Sequence, residues 1–244
     1  TLTPFFDKLE TRSPKQREAA LLAALPKQIA HARRRAPGFA RILENIKPEK
    51  IRSRAALAAL PVTRKSDLAG LQAAERPLGG LNATPVAKLG KIFMSPGPIY
   101  EPEGRAKNWW RTARALHAGG FRTGDLVVNT FAYHFTPAGS MLESGALALD
   151  CTVLPAGVGQ TELQVAAIRD LGIHGYIGTP SFLKLIVEKA AEVDAPLIIE
   201  NLNWTVRHGV EGIVVNSGGR IREFARPSLE GPHQAKNAGV AGKG

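Results

Sequence analysis

Apolar residues divide this chain into a first part with helical spacing and a second part in which short apolar runs alternate with helical patterns. After Pro14, leucine and isoleucine residues recur at helical spacing, which predicts a helix over residues 14–35. Pro26 interrupts this pattern and predicts a kink or two shorter helices. Two more helices are expected, over residues 37–46 and 54–60.

The pattern changes after residue 85. A short strand is expected over residues 91–94, followed by a loop rich in proline and glycine and by a helix that starts at Arg105 and ends at Gly119. Beyond it, strands are expected over residues 125–130, 151–154 and 174–178, and helices over residues 137–149, 160–171 and 180–193. Strands that alternate with helices of this length are typical of βαβ units. The predicted fold class is α/β, with N-terminal helices followed by βαβ units that form a mainly parallel sheet.

Three regions are predicted from these patterns: an N-terminal helical region over residues 1–85, an α/β core over residues 86–212, and a divergent tail over residues 213–244. The tail begins with an apolar run that suits a strand and a turn. It ends in glycine, alanine and polar residues, which bury little apolar surface to offset chain entropy. Poor order is therefore expected in the tail.

Composition restricts the class of protein. The 244 residues are 44% hydrophobic, as in globular proteins, and no apolar run reaches the length that spans a membrane. The first residues lack the charged and apolar segments of a signal peptide. Cys151 is the single cysteine, so an internal disulfide is excluded and a cytoplasmic location is expected.

The net charge of +11 favours anionic partners, such as nucleotides, coenzyme A or nucleic acid. The densest basic cluster is Arg33, Arg34 and Arg35, whose adjacent positions on a helix point to different sides. The chain carries no signature of a known nucleic-acid-binding module, which disfavours a nucleic-acid partner. A basic interaction module that binds a polyanion stays an alternative function.

Two glycine-rich loops follow short apolar runs, where open α/β sheets place their ligand crevices. The first loop contains Gly157, Gly159, Gln160 and Thr161, and the second contains Gly178, Thr179, Pro180 and Ser181. Each loop also suits a helix start, with Thr161 as the first cap and Thr179 or Ser181 as the second. Capping alone stays the alternative to ligand contact.

Several segments together resemble the phenylacetate–coenzyme A ligases, which are adenylate-forming enzymes. HARRRAPGFARIL resembles the HAxxxxPFYR pattern of that family, and LAALPVTRKSDL resembles its FPxTTKxDL pattern. GVGQTE resembles GGQTE, with Val158 in place of a glycine, and FAYHFTPAG resembles an aromatic turn of the family. These matches keep their order over about three quarters of the chain. The resemblance implies the fold of the large domain of adenylate-forming enzymes.

The resemblance also implies a pocket for an aromatic carboxylic acid at the aromatic turn, which contains Phe131, Tyr133, His134, Phe135 and Gly139. Tyr133 and Phe135 would supply flat apolar walls for a ring. His134 would donate a hydrogen bond to a carboxylate or close the pocket. By itself, a histidine between aromatic residues is more often a structural residue with satisfied hydrogen bonds.

A nucleotide phosphate loop formed by Ser95, Gly97 and Arg105 is implied in the same way. Hydroxyls and backbone N–H groups bind phosphate oxygens, and small residues allow close approach. Two prolines flank Gly97 and two glutamates follow it, which departs from the family pattern. Each proline lacks a backbone N–H donor for phosphate. A rigid surface turn is the structural alternative.

Enzymes of this family join an aryl or acyl acid to coenzyme A through an acyl-adenylate, with ATP and Mg²⁺. The implied function is therefore an aryl/acyl–coenzyme A ligase-like protein for an aromatic carboxylic acid, with ATP, Mg²⁺ and coenzyme A as cofactors. The later nucleotide-site motifs of the family are not recognised after residue 195, so an incomplete ligase with weak or no activity is expected. A homodimer or a separate C-terminal domain would complete the site. No catalytic residue or metal ligand is assigned, and a non-catalytic protein that binds an aromatic acid is the alternative function.

Overall fold

The computed structural model describes residues 5–192, 204–208, 212–217 and 220–225 of the chain. Contacts divide the chain into two compact units that alternate along the sequence. Thr1–Arg114 and Phe131–Ala148 form the first unit, and Ala115–Thr130 and Leu149–Gly244 form the second. The three consecutive regions expected from the sequence are a different division of the chain and stay a prediction.

Helices open the first unit, and α1 covers Pro14–Arg35 as predicted. A capping box fixes its start, because the Gln16 N–H donates to Ser13 Oγ at 3.3 Å and the Ser13 N–H donates to Gln16 Oε1 at 2.8 Å. Pro26 lies within the continuous helix, so the alternative of two shorter helices is wrong. The elements that follow are α2, Pro37–Ile42; a 3₁₀ turn, Pro48–Lys50; α3, Arg54–Ala58; α4, Lys65–Ala74; and a 3₁₀ turn, Val86–Lys88.

An apolar cluster of Ile29, Leu43 and Ile51 holds these first elements together. All three side chains are buried. Arg33 on α1 donates a hydrogen bond to the Ile46 carbonyl oxygen at 2.6 Å. This member of the basic cluster therefore stabilises the chain that follows α2.

A β-hairpin comes next in the first unit, in which β1, Lys91–Ser95, pairs antiparallel with β2, Ile99–Glu103. Ser95 pairs with Ile99, so residues 96–98 form the turn. The sequence predicts β1 but not β2, because the prolines in and around β2 are typical of a loop. A two-stranded ribbon accommodates Pro102, since proline is tolerated in edge strands.

The predicted helix over residues 105–119 is correct only at its end. The observed helix, α5, covers Ala113–Ala118. Asn108 and Arg111 have φ values of 55° and 60°, left-handed conformations that interrupt a right-handed helix. The segment before α5 is therefore irregular, and it brings the Trp110 side chain to the hairpin.

A parallel sheet with strand order β4–β3–β5 lies in the second unit. The elements of this part of the chain are β3, Leu126–Asn129; α6, Ala138–Ala148, which belongs to the first unit; β4, Thr152–Pro155; α7, Thr161–Leu171; β5, Gly175–Ile177; and α8, Pro180–Glu192. Val127 and Val128 on the central strand are 0% exposed, as expected where both faces of a parallel sheet are covered. The predicted α/β class with a parallel sheet is confirmed.

Helices α7 and α8 pack through Val165, Ile186 and Ala190. An antiparallel sheet of order β6–β7–β8 consists of β6, Trp204–His208; β7, Gly212–Ser217; and β8, Arg220–Ala225. The remainder of the predicted tail lies outside the described residues. Within the described ranges, no helix has both the length and the apolar character needed to cross a membrane.

Candidate functional site

The hairpin turn contains two of the three residues predicted to bind phosphate, Ser95 and Gly97. Ser95 is buried, and its hydroxyl donates a hydrogen bond to Glu101 Oε1 at 2.6 Å. A phosphate would therefore compete with this carboxylate for the hydroxyl. Gly97 is exposed at the tip of the turn, and Arg105 is exposed beyond the end of β2. The assignment of these residues to a nucleotide site stays a prediction.

The aromatic turn has an unusual backbone at Phe135. Its φ is 57°, a left-handed conformation that is strained for an aromatic residue, and its side chain is 69% exposed. The Met94 N–H on β1 donates to the Phe135 carbonyl oxygen at 2.7 Å, which fixes the turn to the hairpin. His134 is exposed, whereas Tyr133 is half-buried. The turn therefore presents an aromatic ring and an imidazole on a backbone that is held in place.

Gly139 is required by close packing where α6 begins. A Cβ atom at this position would lie 2.6 Å from the Ala132 carbonyl oxygen and 3.1 Å from a ring carbon of Tyr133. The Gly139 N–H donates to the same Ala132 oxygen at 3.1 Å. The first turn of α6 thus lies directly against the aromatic turn.

A buried carboxylate lies between β2 and α6. Glu103 is 7% exposed, and its Oε2 accepts hydrogen bonds from Trp110 Nε1 at 2.6 Å and from Ser140 Oγ at 2.7 Å. Lys91 Nζ lies 3.3 Å from Glu103 Oε1 and donates to Ser140 Oγ at 2.7 Å. Burial by itself would raise the pKa of Glu103, but the hydrogen bonds from Trp110 and Ser140 and the charge of Lys91 hold this pKa below its usual value.

The Glu103 cluster, which consists of Glu103, Lys91, Trp110 and Ser140, has no signal in the sequence. Its members come from four different elements or segments, and the sequence presents Glu103 only as a negative charge in an expected phosphate loop. The irregular segment that carries Trp110 was expected to be helical. A correct expectation for that segment and for β2 would have been needed to find the cluster.

The first crevice loop in the second unit follows β4. Gly157, Gly159 and Gln160 have φ values of 68°, 79° and 51°. A Cβ atom at either glycine would meet nothing within 4 Å, so the left-handed backbone is the reason for glycine here. The expectation that Thr161 caps α7 is wrong, because Gln160 is the cap residue and no side chain bonds the helix start. The Gln164 amide instead donates to the Gly157 carbonyl oxygen at 2.8 Å.

The second crevice loop follows β5. A Cβ atom at Gly178 would overlap Thr130 Oγ1 and the Tyr176 hydroxyl, so a larger residue would require these side chains to move. The Thr130 hydroxyl donates to the Tyr176 hydroxyl at 3.1 Å, and the Tyr176 hydroxyl donates to the Thr179 carbonyl oxygen at 3.1 Å. Thr179 Oγ1 accepts from the Phe182 N–H at 3.3 Å, so the predicted Thr179 cap of α8 is confirmed. Thr130 and Tyr176 were not among the residues predicted from the sequence.

The structure groups the predicted residues within each unit. In the first unit, the hydrogen bond from β1 joins the hairpin to the aromatic turn. In the second unit, both crevice loops lie at the carboxyl ends of parallel strands, the edge where open α/β sheets bind ligands. Pro180 is the first residue of α8, and Ser181 is the second. The ligand contacts of all these residues stay predictions.

An apolar cavity of about 540 Å³ lies between α7, β5 and α8 in the second unit. Ile168, Tyr176, Leu183 and Ile186 are among the residues that line it, and the predicted crevice-loop residues are not. Among the described residues, no group of three or more histidine, cysteine, aspartate or glutamate side chains is arranged to hold a metal ion.

Comparison with known proteins gives relatives of one kind. The chain is 30% identical over 191 residues to a phenylacetate–coenzyme A ligase of Thermus thermophilus and 29% identical over 192 residues to that of Aromatoleum evansii. Each match covers 75% of this chain and 42% of the relative. No protein-family model matches the chain.

Solved structures of a 2-hydroxyisobutyryl-CoA ligase share the fold. The complex with R3-HIB-AMP in the postadenylation state superposes with a TM-score of 0.72 at 25% identity, covering 79% of this chain and 43% of the ligase. An open conformation with 2-HIB-AMP and CoA gives a TM-score of 0.71 at 26% identity, covering 79% of this chain and 47% of that one.

The fold and these relatives define a class, the adenylate-forming acid–coenzyme A ligases. Within this class, the chain is similar over three quarters of its length to phenylacetate–coenzyme A ligases, the family that its motifs predict. It spans less than half the length of the curated relatives, between 42% and 47% for the three longest matches.

Proposed function

We propose that this chain supplies the acid-binding part of an aryl/acyl–coenzyme A ligase that activates an aromatic carboxylic acid through an acyl-adenylate. The observation that carries the proposal is the exposed ring of Phe135 on a left-handed backbone. Strained residues of this kind cluster at functional sites. A ring that is open to solvent, on a backbone fixed by a hydrogen bond, suits stacking against a flat aromatic group.

Neighbouring residues of the turn support a carboxylic acid as the ligand. Tyr133 and Phe131 are half-buried and add apolar surface, and the exposed His134 offers an N–H donor for a carboxylate. The curated relatives are named for phenylacetate, a small molecule with a ring and a carboxylate.

Acid activation of this type needs orientation rather than a protein nucleophile. A carboxylate oxygen of the acid attacks the α-phosphorus of ATP and pyrophosphate leaves; the thiol of coenzyme A then attacks the acyl carbon and AMP leaves. ATP and coenzyme A are thus the proposed co-substrates. The proposed role of this chain is to bind the acid and to fix its direction of approach.

The hairpin turn does not fit a phosphate cradle as it stands. The Ser95 hydroxyl is bonded to Glu101, and Pro96 and Pro98 lack N–H groups. These observations favour a second candidate function, a protein that binds an aromatic acid without ligase activity.

The proposed location is the cytoplasm, and the proposed site is completed by residues from outside this chain segment. The buried Cys151 thiol has a pKa raised by burial and by the charges of Asp125 and Asp150, so it is a weak nucleophile and suits a reducing cytoplasm. A second copy of the chain or a further domain is the proposed source of the remaining nucleotide-site residues.

Calorimetric titration of the chain with phenylacetate and with ATP–Mg²⁺, separately and together, tests the proposal. Binding of both ligands, each strengthening the other, supports the ligase. Binding of phenylacetate alone supports the acid-binding protein. Cyclohexylacetate is the matched ligand, since it keeps the carboxylate but lacks a flat ring, and it is expected to bind about fivefold more weakly. A chain that binds neither acid contradicts both functions.

A further inference from the structure

The Glu103 cluster has no part in the acid-binding function described so far, although it lies beside the proposed site. It joins three separate segments of the first unit: β1 through Lys91, the irregular segment through Trp110, and α6 through Ser140. Buried carboxylates are costly unless they are bonded, and here the hydrogen bonds to the Glu103 carboxylate come from two different segments, at Trp110 and at Ser140. The carboxylate therefore fixes the relative positions of these segments.

Ser140 connects this cluster to the aromatic turn. It is the third residue of α6 and directly follows Gly139, whose backbone lies against Ala132 at the start of the turn. The next residue, Met141, accepts a hydrogen bond through its carbonyl oxygen from Thr112 Oγ1 at 2.7 Å. The end of the aromatic turn is thus attached to β2 and to the irregular segment.

The middle of the same turn is attached to the other strand of the hairpin. The Met94 N–H on β1 donates to the Phe135 carbonyl oxygen, at the residue with the left-handed backbone. Lys91 on the same strand donates to Ser140. The hairpin therefore bonds the aromatic turn at Phe135 and the first turn of α6 at Ser140, and the Glu103 carboxylate is the acceptor that both Ser140 and Trp110 share.

We propose that Glu103 is a positioning residue for the acid site, which holds the first turn of α6 against the hairpin and thereby keeps the Phe135 ring in its exposed, ligand-ready position. The proposal rests on the acid-binding function proposed above. Glu103 itself does not touch the acid. Loss of its charge leaves Lys91 without its carboxylate partner inside the cluster, and the aromatic turn is then expected to open more often.

The test is Glu103→Gln, which preserves the size of the side chain. Two quantities are measured on the full chain: amide hydrogen exchange over residues 131–141 without ligand, and the dissociation constant for phenylacetate. Exchange is expected to be about tenfold faster and binding about tenfold weaker, since removing the charge from a buried hydrogen-bond network costs about a factor of ten or more. Glu18→Gln is the matched control, because it removes a carboxylate from the exposed Arg54 ion pair of the same unit.

A second variant, Trp110→Phe, keeps an aromatic ring at this position but removes one hydrogen-bond donor to Glu103. It is expected to change both quantities in the same direction by a smaller factor. It also keeps the proposal testable if Glu103→Gln does not fold. In the background of Phe135→Ala, the effect of Glu103→Gln on affinity should vanish, since the ring to be positioned is gone.

Each outcome is decisive. Unchanged exchange over residues 131–141 overturns the positioning role, whatever the acid does. Faster exchange with unchanged phenylacetate affinity also overturns it, since the turn then moves without affecting the site. Faster exchange in a chain whose wild type binds no phenylacetate contradicts the proposed function instead, while the attachment of the turn to Glu103 stands.

Discussion

Phe135 combines two features that rarely occur in one residue, a left-handed backbone and an exposed aromatic ring. Either feature alone has an ordinary explanation in a surface turn. Together they describe a side chain that is held in an unfavourable conformation and gains little from burial in return. A ligand that covers the ring would supply the missing burial.

Replacement of Phe135 by glycine separates strain from binding. Phe135→Gly is expected to leave the free energy of unfolding unchanged or to raise it by up to ~1 kcal/mol, because glycine adopts this φ readily. Phenylacetate affinity should fall about fivefold to tenfold with the loss of the ring. Denaturant unfolding and calorimetry measure the two effects. Phe135→Ala is the control, with the same loss of affinity and no gain in stability, and an unchanged affinity in both variants would contradict the pocket.

Gly178 gives a prediction about the second unit. Gly178→Ala is expected to lower the free energy of unfolding by about 1–3 kcal/mol, since its Cβ overlaps Thr130 and Tyr176. Adding Thr130→Ala should recover part of the loss. Gly70→Ala in α4 is the control, because its Cβ meets nothing within 4 Å, and it should stabilise by up to ~1 kcal/mol. Equal melting curves for Gly178→Ala and the wild type would show that the loop has room to move.

At the scale of elements, apolar periodicity predicts most of the helices and the parallel strands, because burial of one face or of a continuous run is a local signal. The hairpin strand β2 was not predicted because Pro102 is typical of a loop. The expected helix before α5 is wrong because Asn108 and Arg111 adopt positive φ, which the sequence does not signal. Glu103 lies on β2 and Trp110 lies on the segment before α5. Because both of these segments were predicted wrongly, the members of the Glu103 cluster could not be grouped from the sequence.

The link between the hairpin and α6 should depend on pH. The pKa of Glu103 is lower in the folded chain than in the unfolded chain, so its stabilising contribution is complete above the ordinary glutamate value and is lost as the pH falls through the folded value. The stability difference between the wild type and Glu103→Gln should therefore shrink over the acidic pH range that begins near the ordinary glutamate value of about 4.3. Thermal melting of both proteins across this range measures it, and a difference that grows toward low pH would contradict the assignment.

At the scale of the whole molecule, the motif order predicts the family, because a set of short patterns in a fixed sequence is specific even where single residues have changed. The aromatic turn and the crevice loops could be located in this way. The motif order could not predict that the Ser95 hydroxyl is already hydrogen-bonded, since the bond between Ser95 and Glu101 depends on the pairing of two strands. Similarity to a family therefore predicts where a site lies, and the structure shows which of the predicted side chains are already engaged in hydrogen bonds.

The alternation of the two units along the sequence affects how the chain is made. Residues 1–114 leave the ribosome before residues 131–148, which complete the same unit, have been synthesised. The strand β3 is likewise made before either of its neighbours in the sheet. The nascent chain therefore carries unpaired strand edges and an unfinished apolar core for much of its synthesis. These surfaces are prone to aggregation and are the ones that chaperones bind.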